Sequence, residues 1–116
     1  MNELVVDRKA VLETFDNNAE FLRSVIGTFL TDSPAQLAAV RAAVAAKNPG
    51  EVMKAAHSLK GSLSVFSAKS AVTAAQNLES MGREGKQEGL GEALAALERE
   101  MVLVTSALQE LAKEAV

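Results

Sequence analysis

His57 is the one histidine of this 116-residue chain, and a lysine and a glycine follow it three and four positions later. A neutral imidazole has a nitrogen lone pair that can attack phosphorus near neutral pH. On a helix, with about 100° between successive residues, Lys60, Gly61 and Ser64 lie within roughly 60° of His57. This spacing predicts a nucleophile beside a cation, with a clear approach, which suits a site that carries a phosphoryl group.

The opposite side of the same predicted helix is apolar, so His57 is expected to face solvent. The apolar positions fall roughly 180–260° from His57; they are Val52, Ala56, Leu59, Leu63 and Phe66. A phosphoryl group on the ring would add a charge of about −2, which Lys60 can offset from one turn away. A metal site is not indicated, because the chain has no second histidine and no cysteine.

Gly61 distinguishes this interpretation from an ordinary surface histidine. Glycine inside a helix costs about 1 kcal/mol relative to alanine, and Gly61 points to the His57 side rather than to the apolar side. A missing side chain there lets a second protein bring its reactive group close. Ser64 keeps the same surface low, and Met53 is expected to complete this docking surface.

The following predicted helix has a polar stripe formed by Gln76, Glu79 and Arg83. Glu79 either accepts a hydrogen bond from Lys60 or the His57 ring, or pairs with Arg83 on the surface. The surface pair is favoured, because such pairs at a spacing of four residues are common on helices. These three residues are the candidate supporting polar groups.

The composition is that of an all-α protein. Hydrophobic residues make up 48% of the chain and aromatic residues only 3%, and the formal net charge is −3. Acidic and basic residues are interleaved, so neither nucleic acid nor a membrane surface is indicated as a partner. Without cysteines, a signal peptide or a long apolar run, a cytoplasmic location is expected.

Cap and periodicity signals predict one domain over 1–116, an antiparallel up-down four-helix bundle. Short helical segments, capped by Asp7 and Asn17, are expected within about 1–32, before a bundle over about 33–114. Ser33 is expected to cap the first bundle helix, with Pro34 at its first position. The bundle helices are predicted over about 33–46, 50–66, 68–82 and 90–114.

Three further signals mark the helix boundaries of the second half. Asn48 and Pro49 are expected to open the helix that carries His57, and Ser67 to cap the next one. A glycine-rich, charged connection follows over 82–89. The last helix has an apolar seam, which suits either a coiled-coil dimer or the wall of a bundle. Short connections favour the bundle, and a monomer is expected.

The segment His57-Ser58-Leu59-Lys60-Gly61-Ser62, with Ala68, Leu78-Glu79 and the glycines from 82 to 85, resembles the histidine-containing phosphotransfer (HPt) domain family. The resemblance covers about 15–111. It implies that His57 accepts a phosphoryl group from the aspartate of one response-regulator receiver domain and passes it to another. It implies Lys60 as the cation near that group, with Gly61 and Ser64 as the small residues at which the receiver docks.

The same resemblance implies receiver domains and a hybrid sensor histidine kinase as partners in a two-component phosphorelay. No cofactor is expected on this chain, because the receiver would supply Mg²⁺. The chain has no glycine-rich ATP-binding motif, so it is expected to be a carrier without kinase activity of its own. Met1 and the full set of predicted helices favour a free-standing protein.

Three alternatives remain open at this stage. The first is a docking adaptor without phosphotransfer, which would need neither His57 nor Lys60. The second is a phosphatase that acts on a receiver, with Gln76 or Glu79 aimed at the attacking water. The third is a structural bundle, or a homodimer through the seam of the last helix.

Overall fold

The computed structural model describes residues 5–114, which form five helices and no strand. The helices are α1 (Arg8–Thr14), α2 (Ala19–Ala45), α3 (Pro49–Ser64), α4 (Lys69–Arg83) and α5 (Leu90–Glu114). Helices α2 to α5 each pack against the next, and α5 packs back against α2. The predicted all-α fold is confirmed as a helical bundle.

Helices α3 and α4 run antiparallel, as their contacts show. Lys60 contacts Gln76, and His57, one turn earlier on α3, contacts Glu79, one turn later on α4. At the end of this pair a Cβ atom on Gly82 would lie 2.5 Å from the carbonyl oxygen of Pro49. The two backbones therefore approach closely because residue 82 has no side chain.

The placement of Gly82 corrects the predicted connection over 82–89. The residue lies inside α4 and is buried, and α4 continues to Arg83. The sequence pattern predicts Gly82 in the loop with the glycines that follow it, because helix interiors disfavour glycine. Close packing against α3 explains why glycine is kept at this helical position.

Helix α2 is continuous through Pro34, so the predicted start at Ser33 and the division near 32–33 are wrong. Ser33 is buried inside the helix rather than at its cap. Pro34 has no N–H for the carbonyl of Leu30, at a cost of about 3 kcal/mol. The helix continues because one face is buried on both sides of Pro34, through Leu22, Ile26, Phe29, Val40 and Ala43.

Two predicted caps are confirmed. The side chain of Asp7 accepts a hydrogen bond from the backbone N–H of Ala10 at the start of α1. The side chain of Asn48 does the same for Glu51 at the start of α3, where Pro49 occupies the first turn. The Asn48 cap fixes the start of the helix that carries His57.

Two other predicted caps are displaced by one residue. Asn18, not Asn17, caps α2, and α4 begins after Ala68 without a side-chain cap. Asn17 and Ser67 instead have φ angles of 57° and 53°. Both residues adopt this left-handed conformation where the chain turns between helices. The sequence pattern does not distinguish such a turn residue from a helix cap.

The apolar seam of α5 faces the bundle, which confirms it as an internal wall. Six of its residues are buried: Leu90, Leu97, Met101, Val104, Leu108 and Leu111. Leu94 is half-buried and packs against the same core. Among the described helices, none has the length and apolar character required to cross a membrane.

Candidate functional site

Helix α3 holds His57 on the outside of the bundle. The apolar residues predicted to lie opposite it are buried: Val52, Ala56, Leu59, Leu63 and Phe66. The His57 side chain is 69% exposed. The predicted orientation is therefore confirmed, and the ring is accessible to a second macromolecule.

Glu79 lies beneath the ring, on α4, and its side chain is only 4% exposed. Its Oε2 atom is 3.3 Å from Nδ1 of His57 and 2.6 Å from Nη2 of Arg83. Its Oε1 atom is 2.7 Å from Nζ of Lys60. The preference for a surface pair with Arg83 alone is corrected, because the buried carboxylate contacts all three groups.

The surrounding cations keep the Glu79 carboxylate ionised. The Lys60 ammonium is the strongest influence, and with Arg83 and His57 it lowers the pKa of Glu79 from 4.5 to about 2, although burial acts in the opposite direction. A buried charge is tolerated only where such partners compensate its lost hydration. Glu79 is therefore a fixed anion at neutral pH.

This anion selects one tautomer of the neutral His57 ring. An ionised carboxylate can only accept hydrogen bonds, so the contact at 3.3 Å favours a proton on Nδ1. In this tautomer Nε2 is the ring nitrogen with a free lone pair, on the side away from Glu79.

Lys60 is held by a chain of polar contacts one turn after His57. Its Nζ atom donates to Oε1 of Gln76 at 2.8 Å, and Nε2 of Gln76 donates to Oγ of Ser80 at 3.0 Å. The Lys60 side chain is 22% exposed, so the cation stays near the surface while it is oriented from below. Ser80 was missed by the sequence reasoning, although it follows Gln76 by four residues on one helix face.

The side chains next to His57 on the exposed side of α3 are small. A Cβ atom added to Gly61 would have no neighbouring atom within 4 Å, so packing inside the bundle does not require glycine there. Ser64 is exposed and its hydroxyl donates to the carbonyl oxygen of Lys60 at 2.9 Å. Met53 is half-buried, close to the contact of α3 with Gly82.

An apolar patch lies between α2 and the end of α3. Phe21 is 54% exposed and Val65 is 40% exposed. Both line a groove of about 370 Å³, with Phe29 and Phe66 among its other walls. Val65 was missed by the sequence reasoning, although it follows Gly61 by four residues and so lies on the same side of α3.

Comparison with known families agrees with this fold. The sequence model of the Hpt domain matches residues 24–114. No curated protein and no solved structure matches the chain significantly. The chain belongs to the Hpt domain family, and its general role is histidine phosphotransfer in a phosphorelay.

Proposed function

We propose that His57 is the phosphorylated residue and that Nε2 is the atom which carries the phosphoryl group between receiver domains. The single observation that carries the proposal is the buried Glu79 carboxylate against Nδ1 of an exposed ring. This contact leaves the lone pair of Nε2 on the accessible side of the imidazole. A surface histidine with no role would not require a buried anion to orient it.

In the transfer step, Nε2 attacks the phosphorus of an aspartyl phosphate on a receiver domain. The N–P bond forms while the P–O bond to the aspartate breaks, and the aspartate leaves as a carboxylate. The proton on Nδ1 stays in place, so the ring gains positive charge. The Glu79 carboxylate stabilises this charge across 3.3 Å. The reverse step passes the group to the next receiver.

Lys60 is assigned to the transferred group. Its ammonium is one helical turn from His57 and is partly exposed, so it can offset charge on the phosphoryl oxygens. Gln76 and Glu79 orient it through contacts of 2.8 and 2.7 Å. Arg83 contacts Oε2 of Glu79. It therefore stabilises the anion and does not contact the reacting atoms.

The docking surface for the receiver is assigned to the open side of α3 and the apolar patch beside it. Gly61, Ser64 and Met53 form the approach to His57, and Phe21 and Val65 supply exposed apolar area. Such area, with a central reactive group, is typical of a protein interface. The receiver brings the Mg²⁺ and the acidic pocket that the reaction needs.

The phosphatase alternative is less well supported by the geometry. The amide of Gln76 accepts from Lys60 and donates to Ser80, and Glu79 is buried under the ring. Neither side chain is presented toward an attacking water. A pure adaptor would have no need of the buried anion.

The experiment is transfer from a receiver domain charged with radiolabelled acetyl phosphate. We expect acid-labile, base-stable label on this chain, and its loss in His57→Gln with an unchanged helical circular dichroism spectrum. Ser58→Ala, at the neighbouring exposed position, is the matched control and should keep the label. Label that persists in His57→Gln would contradict the proposal. Loss of receiver phosphate without label on this chain would favour the phosphatase.

A further inference from the structure

The outer face of α5 has exposed apolar residues that the phosphotransfer site does not use. Val102 is 69% exposed and Leu103 is 47% exposed. The other large exposed apolar residues in the described part of the chain, Phe21 and Val65, lie beside α3. Because the seam of α5 is already buried in the bundle, Val102 and Leu103 form a second apolar surface on the opposite side of the helix.

Small and charged residues surround this pair in a regular order. With about 100° per residue, the face within roughly 60° of its centre also contains Glu92, Ala95, Arg99, Ser106, Glu110 and Lys113. The small side chains of Ala95 and Ser106 allow another helix to approach closely. Four exposed charges lie on the face: Arg99 and Glu110 are nearer its middle, and Glu92 and Lys113 are near its ends.

A groove beside the face extends the apolar surface toward α2. It has a volume of about 830 Å³, and its walls include Pro34, Leu37 and Val102. The ion pair of Arg41 with Glu98, at 2.5 Å, lies in the same groove. The groove widens the area that a partner can cover beyond the single helix face.

We propose that this face binds a second copy of the chain, with the two α5 helices antiparallel about a two-fold axis between Val102 and Leu103. Such an axis places Val102 of one copy opposite Leu103 of the other. Glu92 and Lys113 lie about 16 Å to either side of the axis. Each Glu92 therefore faces the Lys113 of the second copy, and both pairs form by the same symmetry operation.

This charge arrangement favours a second copy over an unrelated helix. Glu92 and Lys113 are equidistant from the midpoint of the apolar pair, so they meet in an antiparallel helix pair, and Arg99 of one copy comes within about one turn of Glu110 of the other. An unrelated partner imposes no such spacing on the sequence of α5. The apolar pair supplies attraction, and the terminal charges fix direction and register.

The association is expected to be weak. One helix face and its neighbouring groove belong to the small class of interfaces, which form transient complexes. The chain is then monomeric when dilute, as expected from the sequence, and dimeric when concentrated. Because α5 packs on α2 and α4 while His57 lies on the outside of α3, both histidines stay accessible in the dimer.

Sedimentation equilibrium of the full chain at low ionic strength, up to about 1 mM, tests the proposal. We expect a monomer–dimer equilibrium that Val102→Asp weakens at least about tenfold, since a charge would be buried against Leu103. Val65→Asp is the matched control on the other exposed patch and should leave the equilibrium unchanged. Circular dichroism confirms that both variants remain helical.

A charge exchange tests the register. Glu92→Lys alone and Lys113→Glu alone should each weaken the dimer about 3-fold or more, because like charges then face each other. The double variant should return to within about 2-fold of the unmodified chain. A monomer at every concentration would overturn the proposal. So would a dimer that Val65→Asp weakens and Val102→Asp does not, or a double variant weaker than both single variants.

Discussion

Nδ1 of His57 and Oε2 of Glu79 lie 3.3 Å apart, although one side chain is 69% exposed and the other only 4% exposed. The pair joins α3 to α4, so the orientation of the ring depends on a neighbouring helix. An exposed ring alone would rotate about two side-chain bonds. The buried anion limits that freedom and keeps Nε2 available to a partner.

Glu79→Ala should slow phosphotransfer by on the order of 10–100-fold, because both the charge and the acceptor for Nδ1 are lost. Glu79→Gln should have a smaller effect, since its amide oxygen can still accept from Nδ1. The ¹⁵N chemical shifts of the His57 ring provide the second measurement, with the Nδ1–H tautomer dominant in the unmodified chain and a mixture in Glu79→Ala. A merely structural role for Glu79 would leave the tautomer ratio unchanged.

Lys60→Ala should slow transfer by about tenfold with folding intact, because the charge on the moving phosphoryl group loses its nearby cation. Gln76→Ala is the matched comparison, since it releases Lys60 from the contact at 2.8 Å without removing the ammonium. Its effect should be smaller. Single-turnover transfer from a saturating charged receiver measures both rates. Equal effects would show that orientation, not charge, is what Lys60 contributes.

The folding stability should depend on the ionisation of Glu79. Its pKa is about 2 in the folded protein against an ordinary value of 4.5, so the unfolded chain binds more protons between these pH values. The stabilisation is present above the higher value and is lost as the pH falls toward the lower one.

The measurement is urea unfolding of the unmodified chain and of Glu79→Gln at several pH values between about 6 and 2. Other carboxylates titrate in both proteins, so the difference between the two isolates residue 79. We expect the stability advantage of the unmodified chain to shrink toward low pH. A difference that does not change with pH would contradict the lowered pKa.

Two helical glycines should respond in opposite directions to alanine. Gly82→Ala should lower the free energy of unfolding by about 1–3 kcal/mol, because its Cβ would lie 2.5 Å from the carbonyl oxygen of Pro49. Gly61→Ala should raise it by up to about 1 kcal/mol, because nothing lies within 4 Å of the new methyl group.

Gly61→Arg should keep the fold but weaken receiver binding, which titration calorimetry measures. Tight binding by that variant would move the docking surface elsewhere.

Pro34→Ala should stabilise the protein by roughly 1–3 kcal/mol, since it restores an N–H for the carbonyl of Leu30 in a continuous helix. Pro49→Ala is the matched control, because Pro49 occupies the first turn of α3 where proline fits. It should change stability little. Thermal unfolding compares the two, and an equal response would argue that α2 breaks at Ser33.

Periodicity and spacing predict the part of this protein that depends on one helix at a time. The buried side of α3, the exposure of His57 and the internal wall of α5 all follow from an apolar stripe on a single helix. The Gln76, Glu79 and Arg83 stripe was recognised for the same reason. The burial of Glu79 is not predicted by the sequence, because it depends on how close α3 and α4 come.

The wrong predictions at Ser33, Pro34 and Gly82 also arise because contacts between helices cannot be read from one helix alone. Ser33 and Pro34 have the local pattern of a helix start, but the packing of residues on both sides outweighs the cost of an internal proline. Gly82 has the local pattern of a loop, whereas its neighbour across the interface explains it. Contacts between helices decide these positions, and a single sequence records them only indirectly.

The close approach at Gly82 has a consequence for how sequence variation in this protein is interpreted. Residue 82 lies about one turn beyond Glu79, and its missing side chain sets the gap that lets a carboxylate on one helix reach a ring on the other. Because residue 82 has no side chain, it adds no separation between the helix of the donor His57 and the helix of the acceptor Glu79. Damage there would appear as a chemical defect although no reacting atom is touched, since the fault would be one of alignment.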